Sequence, residues 1–223
     1  MKIQLVIAII GLSLWSCKSD TKTNTPPAKT LSITQKIAKA HGYDNWHKVA
    51  RIDFTFNVDR DSSHYERHWS WRPSESLITM MSSTDTLTYN TTKIDSVSMQ
   101  ADRAFINDKF WLLIPFQLVW DKTITVAEVP DTVAPISKDT LDMITVTYPD
   151  KGGYTPGDAY DIYYDSEYLI REWVFRKGNA SKPSLTNTFE NYKDFNGITL
   201  ATEHKQANVD WNLNFTNIDV ILN

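Results

Sequence analysis

Residues able to do chemistry are few and scattered along this chain of 223 residues. His64 and His68 form an H-x3-H pair, which on a helix would aim both imidazoles at one metal ion. The stretch Tyr65-Glu66-Arg67-His68-Trp69-Ser70-Trp71 alternates with period two, however. On a strand the two rings stand roughly 13 Å apart, so solvent-facing histidines and no metal are expected. His41 and His47 flank a helix end and are expected to cap or pack it. Asp158, Asp161 and Asp165 could suggest calcium, but the first and last bracket a strand. Glu190 with Asp194, or Asp53 with Asp59, could be paired carboxylates for glycoside hydrolysis. A chain with 27 acidic residues offers such pairs by chance. The glycines of Lys151-Gly152-Gly153-Tyr154-Thr155-Pro156-Gly157-Asp158 lack the lysine and hydroxyl arrangement of a phosphate loop, and no G-x-S-x-G elbow exists. No catalytic residue, metal or cofactor is expected, and the chain is not read as an enzyme.

The one remaining reactive group is the single cysteine, Cys17. It closes MKIQLVIAIIGLSLWSC, where Lys2 is a short positive segment and Leu5 to Leu14 an apolar one, too short to span a membrane as a helix. Leu14-Trp15-Ser16-Cys17 resembles the lipobox of bacterial lipoproteins: an aliphatic residue, a variable one, a small one, and the cysteine to be acylated. Trp15 is bulkier than that pattern usually has. The resemblance implies a cleaved lipoprotein signal peptide over 1–16 and a lipid on Cys17 that attaches the protein to a membrane. Residues 17–30, with KSDTKTNTPPAKT after the cysteine, are polar and Pro-containing, as a lipidated tether would be. Lys18, where Asp resembles an inner-membrane retention signal, favours the outer membrane of a Gram-negative cell envelope and leaves its face open.

The elements that would position a site follow from periodicity. Ser32 or Thr34 caps a short helix carrying Ile33, Ile37, Ala38 and His41, with Gly42 at its end. Tyr43 to Val49 adds a turn that buries Trp46 and Val49. From Ala50 the period becomes two: Ile52, Phe54, Phe56 and Val58 face one side, Asp53, Thr55 and Asn57 the other. Tyr65 to Trp71, 77–81, 86–90, 96–100, 143–148, 159–164, 169–176, 185–192, 198–204 and 211–222 read as further strands. Lys151-Gly152-Gly153, Asp165-Ser166-Glu167, Gly178-Asn179 and Asn196-Gly197 read as turns. Residues 110–120 break the rhythm with a continuous apolar run interrupted by Pro115. They form either a plug in the core of a curved sheet or a lid over a hydrophobic cavity. The expected fold is mainly β (α+β): a single curled antiparallel sheet forming an incomplete barrel around N-terminal and central helical segments.

Ala40-His41-Gly42, Trp46 and Val49, then Asn107 to Phe116, Gly157 to Asp165, Thr188-Phe189-Glu190-Asn191-Tyr192 and Phe195-Asn196-Gly197-Ile198 together resemble uncharacterised Gram-negative envelope lipoproteins. That group is related to the lipoprotein-localisation (Lol) carrier and receptor proteins. The resemblance covers residues 31–223 and implies a half-barrel domain there, with a hydrophobic interior that in relatives binds acyl chains. None of the Lol proteins' functional residues matches a position here.

A hydrophobic content of 41% with 12% aromatic residues supports a real core. The formal charge is −4, or −5 once Lys2 leaves with the leader, which gives no reason to expect nucleic acid as a partner. Two functions stay open. One is a membrane-anchored lipoprotein holding an acyl chain, lipid or lipopeptide in the concave sheet, with Trp69, Trp71, Trp111 and Phe116 as cavity residues. The other is a structural or accessory envelope lipoprotein with a filled core that docks a protein partner.

Overall fold

A computed structural model describes residues 30–82, 85–152 and 154–223. Cys17, the leader over 1–16 and residues 17–29 of the tether lie outside the described residues.

Helix α1 (Ile33–Ala40) starts at a capping box: Ser32 Oγ accepts from the Gln35 N–H (3.3 Å), and Gln35 Oε1 accepts from the Ser32 N–H (3.0 Å). It buries Ile33, Ile37 and Ala38 and ends at His41, whose Nδ1 lies 2.8 Å from the Ile37 carbonyl oxygen. The next residue, Gly42, has φ of 87°, and a Cβ there would lie 2.0 Å from the Gly197 oxygen. Only glycine fits this close approach. A 3₁₀ turn over Tyr43–Lys48 leads into β1 (Val49–Arg60), which hairpins to β2 (Ser63–Arg72) and continues to β3 (Leu77–Met81) and β4 (Thr86–Asn90).

The expected strand over 96–100 is instead the start of helix α2 (Ser98–Trp120). The Asp95 carboxylate accepts from the Val97 N–H (3.0 Å), the Ser98 N–H (2.8 Å) and the Ser98 hydroxyl (2.7 Å). That cap satisfies free N–H groups of the first turn and outweighs the alternation around it. The 110–120 run is the second half of this helix. It bends at Leu113 (φ −118°, ψ 26°), two residues before Pro115, whose ring has no N–H to donate and crowds the turn before it.

The remaining strands are β5 (Thr125–Val133), β6 (Thr140–Thr147), β7 (Ala159–Tyr164), β8 (Ile170–Arg176), β9 (Leu185–Thr188), β10 (Lys193–Phe195), β11 (Ile198–Leu200), β12 (Glu203–Lys205) and β13 (Trp211–Leu222). Strand β5 had no counterpart in the sequence reading. It is mostly exposed, contains Pro130, and carries a register irregularity between Val129 and Thr132, features an edge strand tolerates. The expected strand over 198–204 divides into β11 and β12.

Six strands pair in the order β12-β13-β1-β2-β3-β4 and five in the order β5-β6-β7-β8-β9; β10 and β11 form a small hairpin. All pairings are antiparallel. The two larger sheets meet at a bridge between Glu190 and Glu203, where the Glu190 N–H donates to the Glu203 carbonyl (2.9 Å) and the Thr202 N–H to the Glu190 carbonyl (3.0 Å). Strands β4 and β5 remain as edges, so the barrel is open. The architecture is mainly β and antiparallel, as expected.

The interior belongs to α2. Its first half buries Ser98, Ala101, Phe105 and Asp108, one side of a helix; its second half buries every residue from Phe110 to Phe116. The core that binds the described residues together runs from Ile33 to Val220. No described helix is long and apolar enough to cross a membrane.

Candidate functional site

The interior has two chemically different ends. At the first, Asp108 of α2 is fully buried and meets strand β2. Arg67 donates to it through Nε (2.7 Å) and Nη2 (2.5 Å), the Trp69 indole N–H donates (2.8 Å), and the Asn107 amide adds a fourth bond (3.0 Å). Burial pushes the Asp108 carboxyl upward in pKa, and these donors pull the other way. A two-toothed guanidinium–carboxylate pair fixes orientation as well as distance, so this contact sets the rotation of α2 against β2.

Around this end lies an aromatic cluster. Trp69 and Trp71 each place their rings 5.4 Å from Phe105. Phe116 touches Tyr43 and Trp46, both at 5.3 Å, and Trp46 lies 5.5 Å from Trp71. Lys109 Nζ sits above Trp71 (5.8 Å) and Trp120 (5.5 Å), and burial lowers its pKa against the opposing field of Asp102 and Asp121.

At the second end, a partly enclosed cleft of about 210 Å³ runs beside α2, lined chiefly by Phe110, Trp111, Tyr154, Tyr160, Trp173 and Leu185, and it reaches Asn107, whose amide also bonds Asp108. Tyr154 stacks flat on Phe110 at 3.9 Å, and Trp111 meets Trp173 at 4.4 Å. Among the described residues, no charged side chain lines the cleft. Behind its wall are polar groups: Trp173 Nε1, both polar atoms of the Asn187 side chain, and His204 Nε2 are buried and make no hydrogen bond within the protein. Asn187 is the cross-strand partner of Trp173, and the His204 ring lies 5.5 Å from Trp111.

Of the four cavity residues expected from sequence, only Trp111 lines this cleft. Trp69, Trp71 and Phe116 belong to the opposite cluster, with Trp69 and Phe116 each 1% exposed. Tyr154, Tyr160, Asn187 and His204 carry no motif; only the tertiary fold joins them. Cys17 lies outside the described residues. His64 and His68 flank Glu66 on the outer face of β2, with a His Nε2 to carboxylate distance of 3.4 Å on each side. Among the described residues no group of three or more candidate ligands could hold a metal ion.

An open antiparallel half-barrel with a helix in its interior is the class that this geometry defines. Similar solved structures include a LolA superfamily protein from Nitrosomonas europaea (11% identity, TM-score 0.47, covering 86% of this chain and 94% of that one). A domain named for outer membrane lipoprotein sorting, from Vibrio parahaemolyticus, is 11% identical with a TM-score of 0.49, over 83% of this chain and 91% of that one. A DUF1329 family protein from Desulfovibrio piger is 10% identical with a TM-score of 0.44, over 86% and 94%. No protein-family model matches the chain, and no curated protein does.

Proposed function

We propose that this chain is an envelope lipoprotein, attached by a lipid on Cys17 to the outer membrane, whose half-barrel binds an apolar ligand (an acyl chain, a lipid or a lipopeptide) without catalysing a reaction. The supporting observation is the partly enclosed cleft of about 210 Å³ beside α2, mainly aromatic on its walls. It is smaller than the roughly 300 Å³ at which drug-sized pockets begin, so it accepts part of an acyl chain, and a longer chain requires α2 to shift. Each methylene buried contributes about 0.8 kcal/mol.

The test is titration of residues 31–223, which contain the described core, with a fluorescent fatty acid, lysophospholipid and a triacylated peptide. Saturable binding that quenches tryptophan fluorescence and weakens in Trp111→Ala supports the reading; no binding to any probe removes it. The anchor is tested separately. Cys17→Ser should abolish incorporation of labelled fatty acid and release the protein from membranes, and unchanged labelling would refute lipidation.

A second reading has its own observation: seven successive residues of α2, from Phe110 to Phe116, are buried and fill the interior. A structural or accessory lipoprotein with a packed core, docking a protein partner at its surface, would show no ligand binding and a helix α2 that resists hydrogen exchange.

A further inference from the structure

Three residues at and behind the wall of the cleft carry unpaired polar atoms: Trp173, which lines it, and Asn187 and His204, which lie behind it. Trp173 both lines the cleft and carries a buried, unpaired indole N–H while being 2% exposed. Asn187, fully buried, lies across from it on β9, on the same sheet face as the cleft residue Leu185 two positions earlier. Its amide nitrogen and oxygen are both unpaired. His204, fully buried on β12, has Nδ1 3.2 Å from the Thr188 carbonyl oxygen. A carbonyl only accepts, so Nδ1 carries the proton and Nε2 is left as an unpaired acceptor. Burial holds this imidazole neutral by lowering its pKa to about 3, against the bond to Thr188.

Unpaired buried polar atoms are rare in folded proteins because each forfeits its bonds to water. Four of them lie on neighbouring residues, Trp173 paired with Asn187 across β8 and β9 and joined to His204 through the rings of Trp111 and Phe189, and they form a set with a definite chemistry. It offers two kinds of donor (Trp173 Nε1–H and the Asn187 NH₂) and two acceptors (Asn187 Oδ1 and His204 Nε2). It holds no charge, and the cleft supplies none.

We infer that Trp173, Asn187 and His204 form the polar end of the cleft and select an uncharged ligand bearing a carboxamide on an apolar chain. A carboxamide presents an acceptor and N–H donors side by side on two atoms, the complement of the Asn187 side chain; a hydroxyl puts one donor hydrogen and its acceptor lone pairs on a single atom, and a bare hydrocarbon has neither. A carboxylate is disfavoured because nothing cationic lines the cleft and Arg67 is committed to Asp108. This inference rests on the reading of the cleft as a ligand site and adds the class of ligand.

The experiment titrates residues 31–223 with octanamide, octanoate and octane at neutral pH. Octanamide should bind about tenfold more tightly than octane, the effect of one or two net hydrogen bonds, and octanoate should bind worse than octanamide. Asn187→Leu, close in size and apolar, should abolish the preference for octanamide and leave octane binding in place. Trp173→Phe, which removes only the N–H and part of the ring, should reduce the preference about threefold and serves as the deciding variant if Asn187→Leu fails to fold. Equal affinity for octanamide and octane in the wild-type protein, or an unchanged preference in the variants, overturns the inference while the apolar-ligand reading stands. Absence of binding by all three probes overturns both.

Discussion

The two ends of the α2 interior hold similar aromatic surroundings and opposite polar arrangements. At the Asp108 end both carboxylate oxygens are bonded, to Arg67, Trp69 and Asn107. At the Trp173 end four polar atoms have no bond within the protein. A buried charge left alone is strongly destabilising, by about 3–5 kcal/mol, so the Asp108 network fixes the helix and both carboxylate oxygens are taken up doing so. A buried neutral group left alone costs less, about 1–3 kcal/mol, and keeps its capacity for something else. Anchoring therefore belongs to the first end and recognition to the second.

The largest test of this contrast is Asp108→Ala. It leaves a half-buried Arg67 and a buried Trp69 N–H without their acceptor and should lower the urea-unfolding free energy by about 3 kcal/mol. Ligand affinity at the Trp173 end should change less than stability; a loss confined to ligand affinity would reverse the assignment of the two ends.

A second test is pH. Burial lowers His204 to about 3 and His41 to about 4, in each case against an opposing backbone hydrogen bond. A depressed histidine pKa means that the unfolded chain binds the proton first. The contribution is fully present above the unfolded value near 6.5 and is lost as pH falls toward 4 and 3. Going from pH 7 to pH 5 should remove about 2 kcal/mol for each histidine, and His204→Gln should remove about half of the pair's pH dependence. A stability profile in that window untouched by His204→Gln would mean that His204 already has a partner, which would weaken the case for its role in recognition.

The smallest expected effect lies outside both ends. Gly197 has φ of 81°, and a Cβ there would stand 2.6 Å from Asn45 Nδ2, which donates to the Gly197 carbonyl (3.1 Å). Gly197→Val should cost about 1–2 kcal/mol in urea unfolding and leave the amide preference unchanged. If it removed that preference, the polar end would be a product of general rigidity rather than of its own side chains.

How much of this was legible follows from the range of the interactions. The period-two pattern of β1 and β2, the Ser32–Gln35 capping box, the glycine ending α1 and the Asn196-Gly197 turn are local, and a chain declares them through residues two to four positions apart. Ser98 misled because Asp95, three residues before it, caps a helix across a stretch that alternates like a strand. β5 was missed because an edge strand has no buried face to advertise. Thr55 and Asn57, expected on the open face, are buried at 1% and 3% by neighbours that include Asn217 and Thr216.

From the sequence by itself came the mainly β character, the strand faces, the apolar run over 110–120 and the abundance of tryptophan. The tertiary structure alone decided which aromatic residues share a space. Trp111 and Phe116 are five positions apart, about 140° around a helix, and because that helix is buried on all sides each meets a different cluster. The pairing of Asn187 with Trp173, and the approach of His204 to Trp111, depend on strand register and on the seam between two sheets. Register is set by the sum of many weak side-chain preferences along a curled sheet, and no single residue encodes that sum.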